Sequence, residues 1–324
     1  MQRRRSTVLA VGLAVTLAGA VSGTACSSAP APTSPPAQAA PPAPAAAPAA
    51  DVTPFATAAP MAETIDWANQ LENFEAARFS DPTRVDNTWF PLTPGTQFVY
   101  EGFSEEAGKR LPHRFVLTVT DLTKEVMGVR SVVVWDQDLA DGELKESELA
   151  LFAQADDGNV WHFGQYPEVY DQGTVVENPT WVAGIAGAAP GITIKQQPQL
   201  GGPTYSQGWS PVVPWTDRAR VAQVGVQDCV PQGCYQNGIV TEEFSREEPN
   251  AFQLKYYAPN IGNTRVAFTG QDQTRETLEL VSRTQLDAAG LADVRAKVLE
   301  MDKGAAERSR AVWGLLPPAQ QAAT

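Results

Sequence analysis

From about residue 97 onward, apolar and polar residues alternate in step. Gln97-Phe98-Val99-Tyr100, Arg114-Phe115-Val116-Leu117-Thr118-Val119 and Arg130-Ser131-Val132-Val133-Val134-Trp135 read as strands. Between such runs lie Met127-Gly128, Ala140-Asp141-Gly142-Glu143, Asp156-Asp157-Gly158-Asn159 and Gln172-Gly173. These residues tolerate positive φ and reverse the chain into hairpins. Later strands are expected over 219–227, 234–244, 252–257, 264–269 and 276–281. With roughly ten to twelve strands, the pattern predicts a mainly β fold, an antiparallel meander forming a strongly curved sheet or barrel.

The period changes at both ends of this region. Residues 65–79 place Trp67, Leu71 and Phe74 on one helical stripe, while Leu291, Val294, Val298, Met301 and Ala305 recur in three- and four-residue steps. Amphipathic helices are therefore expected at both ends, the second over 287–313 with Asp287 as N-cap. Such a helix either covers a sheet edge or face, or lies across the mouth of the curved sheet.

Upstream, the pattern is of another kind. Arg3, Arg4 and Arg5 precede an apolar run from Val8 to Val21 that leads to Ala25-Cys26, an export signal over 1–25 ending at a cysteine. The run is about 14 residues, short of the roughly 20 that span a bilayer. Gly23 stands where a lipobox usually carries Leu, Val or Ile, and Gly23-Thr24-Ala25 also suits an ordinary signal peptidase cutting at the same bond. Cleavage thus leaves either a lipid-anchored protein on the outer face of the cell membrane or a soluble secreted one. The three cysteines favour the anchor, because Cys229 and Cys234 are spaced to close a small ring as a disulfide and leave Cys26 for acylation. From Cys26 to residue 60 the chain is nearly all Ala, Pro, Ser and Thr, which cannot form a core. This tether favours extended backbone at about 3 Å per residue, so it reaches up to ~100 Å. Residues 61–318 are expected to form a single β-rich domain that includes the C-terminal helix, and 319–324 a disordered tail.

Charge narrows the partners. The formal net charge is −13, and about −16 once the three leader arginines are removed. Phosphate backbones need clustered Lys or Arg, and the pairs Arg218/Arg220 and Lys109/Arg110 are isolated, so nucleic acid is excluded as a partner.

Few residues suggest chemistry. There are two histidines, His113 and His162, so a three-histidine metal centre is ruled out, and no metal or cofactor is expected. Both are read as surface or partly covered strand residues. There is no Gly-x-Ser-x-Gly elbow and no Ser-x-x-Lys pair. Carboxylates remain: Asp136 with Asp138, Asp141 beyond them, and Asp156 with Asp157 in a turn. Glu242-Glu243 and Glu247-Glu248 read as a solvated face. Trp89, Trp161, Tyr256 and Tyr257 are candidate ligand-binding aromatics, with core packing as the plainer reading.

The segment Asp81-Pro82-Thr83-Arg84-Val85-Asp86-Asn87-Thr88-Trp89-Phe90-Pro91-Leu92-Thr93-Pro94-Gly95-Thr96-Gln97-Phe98-Val99-Tyr100-Glu101-Gly102 resembles the opening of a family of uncharacterised exported (lipo)proteins, many from high-GC bacteria. Asp157-Gly158-Asn159-Val160-Trp161-His162-Phe163-Gly164, Ala189-Pro190-Gly191-Ile192 and Lys255-Tyr256-Tyr257-Ala258-Pro259 follow in the same order, so the resemblance covers roughly 79–283. Asn260 departs from it, standing where glycine commonly follows the proline. The resemblance implies export and architecture and brings no activity with it.

Two function classes follow. One is a non-catalytic cell-envelope lipoprotein that binds an apolar or lipid ligand or an envelope protein. The other is an envelope hydrolase using paired carboxylates, with Asp136, Asp138 and Asp156 as the acids. In either class Cys26→Ala is expected to abolish lipid labelling and release the protein from membranes, and unchanged membrane retention would remove the anchor.

Overall fold

The computed structural model describes residues 56–58, 64–106 and 108–322. The export signal, Cys26 and most of the tether lie outside them. The described residues build one antiparallel sheet of seventeen strands. Its long strands are β1 (Thr96–Glu106), β2 (Lys109–Val126), β3 (Val129–Ala140), β4 (Glu143–Gln154), β5 (Val160–Asp171), β6 (Ala189–Ile194), β7 (Arg218–Val230), β8 (Gly233–Phe244), β9 (Ala251–Ala258), β10 (Gly262–Gly270) and β11 (Thr277–Gln285). Hairpins connect them where the turn residues foretold. Met127-Gly128, Asp141-Gly142 and Gln172-Gly173 all have positive φ at both positions, which matches the strand twist. The disulfide Cys229–Cys234 joins registered partners beside the tight β7–β8 turn.

Pairing of β11 with β1 joins the late strands to the early ones, giving the order β7-β8-β9-β10-β11-β1-β2-β3-β4-β5-β6. One face of these strands feeds a single apolar cluster that includes Phe98, Phe115, Phe152, Ile194, Val221, Ile239, Tyr257, Val266 and Leu278. The sheet therefore bends around on itself. It does not close into a barrel, because no ladder joins β6 to β7 among the described residues. A short segment bridges them instead: Tyr205–Ser206 pairs with β7, and Gly208–Trp209 pairs with β6. The stretch before β1 plugs one end, with Val85, Phe90 and Leu92 in the same cluster and Phe90 edge-on to Phe152.

The other face of β2 to β5 is covered by α1 (Ala288–Arg308), which buries Val294, Val298 and Ala305 over Leu122, Val133, Leu149 and Leu151. Asp287 caps it by accepting from the Gly290 N–H at 2.8 Å. The helix stops at Arg308, short of the expected 313, and a 3₁₀ turn at Trp313–Leu315 follows.

Two expectations fail at the ends. Residues 65–79 are not an amphipathic helix; only Phe74–Ala76 form a single 3₁₀ turn. Their aromatic anchors dock at separate places, Trp67 on Phe244 of β8, and Phe74 with Phe79 on Trp161 and Phe163 of β5. Tertiary contacts thus override the 3.6-residue stripe. The tail, expected to be disordered, pairs Gln320–Gln321 with β2. It is held by Asp302 of α1, whose carboxylate accepts from the Ala319 N–H at 2.9 Å, the Trp313 indole at 2.8 Å and Lys124 Nζ of β2 at 2.7 Å.

That one carboxylate ties helix, tail and sheet together. Lys124 is 2% exposed, so removing its partner strands a buried charge. Asp302→Ala is expected to cost about 3–5 kcal/mol in urea unfolding, and Lys124→Met in that background should restore much of the loss. An unchanged midpoint in Asp302→Ala would refute the anchor.

Candidate functional site

A glycine in the middle of a strand starts the site. Gly102 of β1 is registered between His113 of β2 and Leu278 of β11. A Cβ at position 102 would stand 1.8 Å from the Thr277 carbonyl oxygen. Without it, the β11 backbone packs closely on β1, and around this point side chains from β2, β3 and the residue before β11 meet. His113 Nε2 lies 2.6 Å from Asp138 Oδ1 of β3, and Nδ1 lies 3.0 Å from Glu276 Oε1 just before β11. Gln253 of β9 donates its Nε2 to Glu276 Oε2 at 2.7 Å. All four residues are buried. Burial lowers the His113 pKa, but Asp138 and Glu276 outweigh it and raise it to about 10. Burial raises the Glu276 carboxyl, with His113 pulling the other way.

A row of acids continues from there along the inner face. Asp138 is registered with Glu146, and Asp136 with Glu148. Neither Asp136 nor Glu148 has a hydrogen-bond donor on either oxygen, and both are at most 1% exposed. Burial first, then Glu146 and Asp138, push the Asp136 carboxyl well up against the opposing pull of Lys255. Glu148 is raised by burial, Asp136 and Glu146. Lys255 itself pairs with Glu243 at 2.7 Å, and Gln207 in the bridging segment donates to Glu243 at 3.0 Å and to the Thr193 carbonyl at 3.2 Å.

Several expectations change here. His113 and His162 are not surface residues. His162 is fully buried, stacked on Phe152 at 4.9 Å and edge-on to Trp181 and Trp215, and burial lowers its pKa to about 3. Glu243 is not on a solvated face. Asp136 and Asp138 come together, but beneath the sheet and not at a cleft. Asp156 sits apart in a surface turn, where it accepts from Ser80 N and Oγ. The four candidate aromatics do not converge. Trp89 and Tyr257 pack with the inner cluster, Trp161 packs with the helix-side cluster, and Tyr256 is half-buried beneath Arg265. Glu276, Gln253, Glu148 and Lys255 were missed. The available signal was phase, since Asp136 and Asp138 continue the parity of Val132 and Val134, as Glu148 does that of Ala150 and Phe152.

On the outer face, a groove of about 820 Å³ crosses β1, β2, β10 and β11. Phe103, Pro112, Leu139, Ala267, Pro231 and Val281 supply a largely apolar lining, and His113 contributes to its wall. A charged row crosses it in the order Arg114, Glu101, Glu279, Arg265, each acid ion-paired with the arginine beside it. A second groove of about 480 Å³ is more polar and is lined by Trp161, Lys195, Asp157 and Asn159.

The raised acids set a sign for pH. A carboxyl whose folded pKa exceeds its unfolded value of about 4 lends stability at low pH and loses it as pH rises through the folded value. Asp136→Asn removes that loss and offers an N–H donor to Glu148 and Glu146. It is expected to stabilise the protein by about 1–3 kcal/mol at pH 7–8 and to give no gain near pH 4. Chemical denaturation at the two pH values checks this, and a destabilised variant at pH 8 would contradict it.

No family model and no curated protein matches the chain. Among solved structures, it is similar to a protein from Bacteroides fragilis described as exported and having a YmcC-like fold. That match has 12% identity and a TM-score of 0.33, over 61% of this chain and 100% of the other. It is also similar to a protein from Parabacteroides distasonis described as a lipoprotein, with 10% identity and a TM-score of 0.29, over 61% and 99% of the two chains.

Proposed function

We propose that this is an exported envelope protein, lipid-anchored through Cys26, that binds an apolar ligand in the outer groove and does not turn it over. The observation that carries this reading is the groove's chemistry. Its volume falls within the usual range for small-molecule sites, roughly 300–1,000 Å³, and its lining is mostly apolar. Its acids, Glu101 and Glu279, are each paired with a guanidinium, which disfavours the proton transfers of a carboxylate hydrolase.

Charge at the rim selects the occupant further. Arg110 stacks over Phe103, 3.9 Å from the ring centroid, beside the apolar floor. Together they suit an anionic amphiphile, with its acyl chain along Phe103, Pro112 and Leu139 and its head at Arg110. The hydrolase reading fits less well, because Asp136 and Asp138 are each only 1% exposed and Asp156 lies elsewhere. The inner face also lacks the character of a lipid carrier's cavity, since its apolar half is filled by aromatic and branched side chains.

Titration of a pyrene-labelled fatty acid into the soluble mature domain tests the groove. Saturable binding is expected, weakened about 10-fold or more in Phe103→Ala, as burial of an aromatic ring is worth roughly 1.5–3 kcal/mol. Absence of binding, or equal binding by the variant, would overturn this reading; a stoichiometric envelope protein retained on the wild type but not on the variant would replace the lipid with a protein partner.

A further inference from the structure

The cluster beneath the groove has a surplus of acceptors. His113 Nε2 lies 2.6 Å from Asp138, which fixes the imidazole and directs Nδ1 at Glu276, where a bound cation would take the place of the Nδ1 proton. The Nδ1 to Glu276 Oε1 approach is 3.0 Å, an ion-pair contact in which neither atom completes a well-formed hydrogen bond. Gln253 must present its Nε2 to the Glu276 carboxylate, so the Oε1 of the same amide is also left without a donor. Gln253 is 3% exposed and Glu276 1%. Two buried acceptor oxygens, Glu276 Oε1 and Gln253 Oε1, are therefore left without a hydrogen bond, on side chains that are themselves bonded to each other.

Two ligands bound to one cation at 2.0–2.2 Å, with ordinary coordination angles, stand about 3 Å apart. His113, Asp138 and Glu276 each place a ligating atom within 4.8 Å of the others. We propose that His113 Nδ1, Glu276 and Gln253 bind a divalent transition-type cation, with Asp138 as the carboxylate that orients the histidine. One imidazole nitrogen and two oxygens suit Zn²⁺, Mn²⁺ or Co²⁺ better than Ca²⁺, which takes six to eight oxygens. A carboxylate on the far nitrogen of a ligating histidine is the usual second layer of such sites. His113 borders the outer groove while its side chain stays buried with Asp138 and Glu276. Gly102 is what lets the ligands assemble, since any side chain there would strike the β11 backbone.

The test is titration of Zn²⁺ into the full mature chain by calorimetry, with Co²⁺ absorption as a second readout. One equivalent is expected to bind, giving visible Co²⁺ bands. Glu276→Gln and Gln253→Leu should each weaken it by 10-fold or more, and Asp138→Asn by about 10- to 100-fold. Gln253→Leu changes no charge and keeps the test open if Glu276→Gln does not fold. Absence of Zn²⁺ binding by the folded wild type would overturn the proposal. So would binding that both variants leave unchanged, or ¹⁵N spectra in which both His113 nitrogens stay protonated at saturating Zn²⁺. Phe103→Ala should leave Zn²⁺ binding intact, which separates this site from the ligand reading of the groove.

Discussion

The inner face of the sheet carries more negative charge than it has cations to match, and the rest of the structure is arranged around that fact. Asp136, Asp138, Glu146, Glu148, Glu243 and Glu276 are all buried, against His113 and Lys255. An unpaired buried carboxylate costs several kcal/mol, so each must find a cation, a donor or a proton. Lys255 serves Glu243, and His113 serves Asp138 and Glu276. Asp136 and Glu148, facing each other across β3 and β4, are pushed towards the protonated form by burial and by neighbouring carboxyls. Gly102 lies between the strand that carries His113 and the one that Glu276 precedes, and its missing side chain lets the β11 backbone at Thr277 and Leu278 approach closely. A polar half and an apolar half therefore share one face, the apolar half supplying cohesion and the polar half a fixed electrostatic arrangement.

The same economy governs the seam between β6 and β7. Here two glycines bring backbones together: a Cβ at Gly191 would come within 2.0 Å of Gly208 N, and one at Gly208 within 2.7 Å of the Trp181 ring. Close approach lets a segment of five residues, 205–209, serve as a partner for both end strands. Between its two pairings, Gln207 turns inward and donates to both β6 and Glu243 of β8. The seam is thus held by side-chain amide bonds where a ladder is missing, and it draws on the buried acid–lysine pair that neutralises the interior. Sheet continuity and charge balance are one problem here.

How much of this the sequence reveals depends on the range of the interaction. Strands and hairpins were legible, because alternation and turn residues such as Asp141-Gly142 act within a few positions. The helix after Asp287 was legible for the same reason. Residues 65–79 misled, because their stripe of Trp67, Leu71 and Phe74 serves docking points far apart in space. The disulfide could be read from its spacing. The cluster could not: His113, Asp138, Gln253 and Glu276 are 23 or more residues apart in the chain, and only the register of the six strands from β9 to β3 brings them together. What was readable was subtler, acids falling in phase with core residues and a glycine inside an alternating strand. Each is a sign that something is placed opposite, without saying what.

Where binding can occur follows from how the two faces are used. The inner face is filled at one end and charge-balanced at the other, and α1 covers the outer face of β2 to β5. Ala56–Thr57, in the last residues of the expected tether, pairs with β7 at Val224 and Gln223. The outer face around the β11–β1 pairing is left open at Glu101, Phe103 and Glu279, at the middle of the strand order. Those strands are held in register on their far side by the charged cluster beneath Gly102. A groove over them is preorganised, because its floor cannot shift without separating His113 from Glu276. The interior charges that look costly for stability are thus what holds the exposed surface above them in one arrangement.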